Sequence, residues 1–138
     1  GYQFYFREGF CWTFTLNEYS EYQKTRIKEP GVYDVNAMSL FPIIDLINSK
    51  YITCILNSYI IFYFKRTFIN ISSAFQINDA RQLPIIIPTD LQLKHFENIF
   101  NMAYSVQKDK FDGKITEREA EEKKGSRGET CKNTKRIG

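Results

Sequence analysis

The run Leu83-Pro84-Ile85-Ile86-Ile87-Pro88-Thr89 divides this chain into two differently built parts. Each proline lacks an amide proton and pushes the residue before it out of the helical region, so the backbone passes through here extended. No helix can cross it. Thr89 then has the chemistry of an N-cap, Asp90 puts a negative charge in the first turn, and Gln92 stands three residues on, where it can close a capping box. From that start Leu93, Phe96, Ile99, Phe100, Ala103 and Val106 recur at spacings of three and four, which predicts one amphipathic helix of roughly twenty residues. Such a helix either docks on its own domain or fixes that domain against another.

Upstream the pattern is one of short strands and loops. Residues 2–6 alternate with an excess of aromatics, as a strand does, and Glu8-Gly9 reads as a turn. Residues 10–15 give a second strand holding the sole tryptophan, Trp12, expected as a core ring. In residues 24–28 the alternation sets Lys24, Arg26 and Lys28 on one face of a strand. That row is either a solvated edge protected by charge or a surface that neutralises phosphates. Glu29-Pro30-Gly31 is a turn, residues 32–35 restart a strand, and residues 49–66 read as a helix capped by Asn48 or Ser49. This helix is apolar nearly all round and is expected to be buried, with Asn57 and Ser58 in structural hydrogen bonds. Residues 74–77 read as a strand and Asn78-Asp79 as a turn. After the long helix, Asp112-Gly113 breaks the pattern, Thr116 and Glu119 form a second capping box, and residues 125–138 are polar, basic and expected to be disordered. The fold class is therefore α+β: a small, mostly antiparallel body over residues 1–88 with one buried helix, a long helix over 89–112, and a charged tail over 113–138.

Composition narrows the function. A chain of 138 residues that is 43% hydrophobic and 16% aromatic is long enough for one packed domain. A net charge of +3 permits a nucleic-acid partner without requiring one. Cys11, Cys54 and Cys131 are odd in number and widely spaced, and His95 has no companion ligand, so neither a disulfide framework nor a zinc site is expected. The apolar run over residues 59–64 is too short to span a bilayer and ends at Lys65-Arg66. The expectation is a soluble, cytoplasmic piece of a longer protein, with no membrane partner.

Four segments, in order, carry a resemblance. Tyr5-Phe6-Arg7-Glu8-Gly9-Phe10-Cys11-Trp12-Thr13, Ser39-Leu40-Phe41-Pro42, Ile55-Leu56-Asn57-Ser58 and the stretch FQINDARQLPI that leads into the proline run resemble the TaqI-like C-terminal specificity domains of adenine-N6 DNA methyltransferases and type IIG restriction-modification enzymes. The resemblance implies a target-recognition domain that reads a short duplex sequence for a linked methyltransferase or endonuclease. It places Arg7, Thr13, Asn36, Ser39, Gln76, Asn78 and Arg81 with the Lys24, Arg26, Lys28 row as DNA-binding candidates. Each of these also has a plain reading as a solvated or turn residue. S-adenosylmethionine, and Mg²⁺ where the parent enzyme cuts, would belong to the linked domain. Indeed, the chain has no Asp-Pro-Pro-Tyr-type loop, no glycine-bearing cofactor turn and no nuclease triad, so no catalytic residue is assigned. The reading from a different class is a protein-interaction module that assembles a larger complex through the long helix; a self-contained small enzyme comes third.

Overall fold

Trp12 has no exposed surface, and the fold is built outward from it. A computed structural model describes residues 2–16, 20–32, 37–43 and 46–123. Strand β1 (Gly9–Thr13) is the centre of a three-stranded antiparallel sheet, flanked by β2 (Arg26–Lys28) and β3 (Ala37–Leu40) in the order β2-β1-β3. Phe10 faces Ile27 and Leu40, and Trp12 faces Met38. Alternation therefore puts Phe10, Trp12, Met38 and Leu40 on one face. That face packs on Leu56, Phe75 and Leu83, with the Trp12 and Phe75 ring centroids 5.1 Å apart. The indole Nε1–H donates to Phe75 O at 2.8 Å, which satisfies the one polar atom that Trp12 takes into the core.

Beyond β1 the chain keeps one more antiparallel contact. Thr15 bridges Ala74, Leu16 N–H donates to Ser73 O at 3.1 Å, and Phe75 N–H donates to Phe14 O at 2.9 Å. The region expected as a strand over 74–77 is only this bridge. Ile77–Ala80 instead forms a helical turn, because the Asp79 carboxylate accepts from Gln76 N–H at 2.9 Å and caps it. Residues 2–6 are likewise not a strand. They form a 3-10 turn at Tyr2–Phe4 and a left-handed residue at Phe6 (φ 61°), whose N–H donates to Gly31 O at 3.3 Å. Alternation alone offered them no neighbouring strand to pair with.

The helix expected over 49–66 is broken. α1 (Ser49–Leu56) is capped by Asn48, whose side chain accepts from Tyr51 N–H at 2.9 Å. α2 (Tyr59–Phe64) restarts after Asn57-Ser58, and the chain then widens into a π turn over Lys65–Ile69 before α3 (Ile77–Ala80). Asn57 causes the break by leaving the helix to serve Thr25: its Oδ1 accepts from Thr25 N–H and its Nδ2 donates to Thr25 O, both at 2.7 Å. Ser58 caps α2 and donates to Ile55 O at 2.6 Å. The segment is not buried all round either, since Tyr59, Ile60 and Tyr63 are exposed.

The proline run has no regular secondary structure, so no helix crosses it, as expected, and Tyr51 OH donates to Ile86 O at 2.8 Å. Thr89 and Gln92 close the capping box, and α4 (Asp90–Phe111) follows for 22 residues. The chain forms two compact units, Gly1–Phe96 and Glu97–Gly138, whose boundary falls within α4. In the second unit, α4 ends at Gly113 (φ 70°), where Lys114 N–H reaches Asp109 O and Gly113 N–H reaches Lys110 O. A short helix α5 (residues 117–123) starts at the Thr116–Glu119 capping box and is tied back by the Lys110–Glu117 ion pair. The expected disordered tail lies outside the described residues.

Candidate nucleic-acid interface

The sheet has a second face. In an antiparallel pair, residues directly opposite each other project to the same side. Cys11 lies opposite both Arg26 and Ser39, Gly9 lies opposite Lys28, and Thr13 closes the same row of β1. Thr13, Arg26, Lys28 and Ser39 therefore share the face turned away from the Trp12 core. Stretches of chain separate β1 from β2 and β2 from β3, so the register that gathers them is a product of the fold.

Aromatic rings cover part of this face. Gly9 leaves the room they need: a Cβ there would stand 2.6 Å from Leu40 O and 2.7 Å from the Phe41 ring. Phe41 stacks on Phe4 at 5.4 Å, Arg7 lies over the Phe4 ring at 5.7 Å, and Lys28 lies over the Phe41 ring at 5.9 Å. The result is a cation-ring-ring-cation stack. Arg7, Thr13 and Arg26 are exposed, whereas Lys28 is half-buried and donates to Gly31 O at 3.0 Å. Beside the stack, Phe6 is 68% exposed although its backbone is left-handed. For a bulky side chain that conformation costs about 1–2 kcal/mol, and an exposed ring recovers none of it by burial. The sequence alone places Phe4 and Phe6 in a strand, Gly9 in a turn and Phe41 in a motif, and assigns none of them to the site; Gly9 instead opens β1, and the aromatic excess at both ends of the sheet was the available signal.

The other candidates are not gathered there. Lys24 is exposed but precedes β2 with φ 58°, so it stands outside the alternation expected to align it with Arg26 and Lys28. Its neighbour Thr25 is fixed by Asn57, and the chain turns at Lys24 to make that bond. Asn78 is exposed on α3, and Gln76 and Arg81 are exposed at its two caps, while Ile77 and Ala80 pack on the core side of the sheet. Arg81 Nη1 donates to Asn78 Oδ1 at 3.4 Å, the local turn bond that was the plain alternative. Asn36 lies outside the described residues. Among the described residues no group of three His, Cys, Asp or Glu side chains is placed to hold a metal, and no helix is long and apolar enough to cross a membrane. Comparison with protein-family models, with curated proteins and with solved structures returns no match to this chain.

Proposed function

We propose that this chain is a recognition module for duplex DNA, working through the outer face of its sheet for a linked adenine-N6 methyltransferase or restriction enzyme. The observation that carries this reading is the grouping of Thr13, Arg26, Lys28 and Ser39 on one face, beside the Arg7–Phe4–Phe41–Lys28 stack. In that role Arg26 and Arg7 contact phosphates or guanine edges, while Thr13 and Ser39 offer hydroxyls to the groove. Lys28 tightens the stack and adds positive potential. Methyl transfer, and the S-adenosylmethionine it consumes, would belong to the linked domain, which would flip the adenine that this module brings to it. The test is binding of the chain to a randomised duplex pool at two salt concentrations, with sequencing of what is retained. Enrichment of one motif, and affinity falling by about 0.9 log units per phosphate contact per decade of salt, is expected. Binding that is unchanged in an R7A/R26A double variant would move the interface elsewhere.

A second reading rests on α4. Ile99, Met102, Tyr104 and Phe111 are exposed apolar side chains on the part of α4 that lies in the second unit. Surface of that kind suits a protein partner. If the chain binds no duplex at low salt and α4 variants alter its assembly with another protein, the interaction module is the better description.

A further inference from the structure

Lys65 is 2% exposed, and no described carboxylate forms an ion pair with it. Buried lysines are rare because the ammonium gives up hydration that only a counter-charge or several acceptors can replace. Here its Nζ donates to Ser72 O at 2.6 Å and lies 5.9 Å from the centre of the Phe75 ring. Burial pushes its pKa down, and the nearby Asp79 carboxylate opposes that only in part. That carboxylate is already engaged by Gln76 N–H and by Asn70 Nδ2 at 3.1 Å.

The residue lines a cleft of about 410 Å³. Its polar wall is made by Lys65, Arg66, Ser72 and Ser73, and no acidic residue joins them among the described residues. Leu16, Phe62 and Ile71 give an apolar wall opposite in character. The π turn over Lys65–Ile69 sets the two cations side by side on one turn, and such turns are frequent at functional sites. The loop after it is fixed: Asn70 N–H donates to Lys65 O at 2.8 Å and Ser72 N–H donates to Asn70 Oδ1 at 2.9 Å. Arg66 lies over the Phe62 ring at 5.9 Å, exposed and without a carboxylate partner among the described residues. Beside the cleft, Gln23 Nε2 is a buried donor without a partner among the described residues, on a small cavity that shares Phe62 and Lys65.

We propose that this cleft binds the phosphate of a nucleotide, with Lys65 and Arg66 taking the anion, the Ser72 and Ser73 hydroxyls completing its shell, and the apolar wall receiving the sugar or base. Two cationic side chains in the polar wall define the charge of the ligand, and the mixed walls define its amphipathic shape. The phosphate is either that of a free nucleotide or one within the strand bound under the reading above; only the second source rests on that reading.

The experiment is titration of the full chain with dAMP, inorganic phosphate and a short duplex, followed by calorimetry and by amide shifts at Ser72 and Ser73, for the wild type, R66A and S72A/S73A. Arg66 is exposed and removable without disturbing the core, so R66A keeps the test independent of folding. Expected is dAMP binding weakened on the order of tenfold by R66A, which corresponds to about 1.4 kcal/mol. If duplex affinity falls in parallel, the phosphate comes from the strand; if duplex binding is untouched, the ligand is the free nucleotide. Absence of dAMP and phosphate binding at about 10 mM, weaker than millimolar affinity, overturns the proposal. When duplex binding persists in that case and is lost in R7A/R26A, the outer-face reading stands and only the cleft assignment fails.

Discussion

Replacing Asn57 tests how the outer face is held in place. Its side chain copies a strand partner, giving Thr25 an acceptor and a donor at 2.7 Å each. Each bond contributes about 0.5–1.5 kcal/mol net, and a buried partner left unmade costs about 1–3 kcal/mol. Thr25 is 5% exposed, so water does not replace the lost contacts cheaply. N57A is therefore expected to lose about 2–4 kcal/mol, read from urea unfolding followed by Trp12 fluorescence. N57D adds a sign. Its carboxylate still accepts from Thr25 N–H but faces Thr25 O with a second oxygen, so the folded state favours the protonated acid and raises its pKa. The penalty is then absent below about pH 4 and grows as pH rises from there to the raised folded value. The N57D-minus-wild-type difference should widen between acid and neutral pH. A stability loss under about 0.5 kcal/mol in N57A, or a flat difference in N57D, would refute the view that this side chain pins β2.

Other outcomes follow from single contacts. F6G is expected to gain about 0.5–1 kcal/mol by relieving a left-handed phenylalanine, while weakening duplex binding; a loss of stability would show that the ring is structural. K65M keeps the apolar stem and removes the buried ammonium, so it should be neutral or up to about 2 kcal/mol more stable in thermal unfolding, yet lose dAMP binding. Because burial lowers the Lys65 pKa, its cost to the fold is largest below that value and fades as pH rises toward 10.5, a slope that K65M should remove. Burial raises the Cys54 thiol to about 11, so peptide-resolved alkylation near pH 8 should modify it about a hundredfold more slowly than an unhindered cysteine. Glu119 is held below its ordinary pKa of 4.5 by the Thr116 N–H, then by the Thr116 hydroxyl. Its support of α5 is complete above that value and is lost as pH falls through the lower folded one, which the Thr116 amide shift should track.

The parts legible in the sequence were those decided within a few residues. Pro84, Pro88, Thr89 and Gln92 fix the start of α4 by local stereochemistry, and nothing distant overrides them. Trp12 was legible as core because a large ring in a short apolar strand has few other places to go. The break at Asn57 was not, since its cause is Thr25, 32 residues away. For the same reason residues 2–6 read as a strand: alternation describes which residues could share a face, not whether a neighbour exists to pair with them. At α3 the signal was present and overlooked, as Gln76 and Asp79 already had capping-box spacing. Of the candidate site, the residue types were visible but not their assembly. Arg26, Cys11 and Ser39 meet only through strand register, and Lys24 leaves the row because of one dihedral angle. Lys65 gave no warning at all, because a lysine after an apolar run looks like the solvated end of a helix.

The bond from the Trp12 indole to Phe75 spans 63 positions of chain. Drawing the ends of so long a segment together costs about 3–4 kcal/mol of chain entropy before any packing is gained. The three strands, all complete by Leu40, thus have one bare apolar side until Leu56, Phe75 and Leu83 arrive to cover it. During synthesis the sheet would wait on the ribosome for more than forty further residues. A chain ended before Phe75 should be aggregation-prone and captured by chaperones, and one continued just past the proline run should be the shortest to fold.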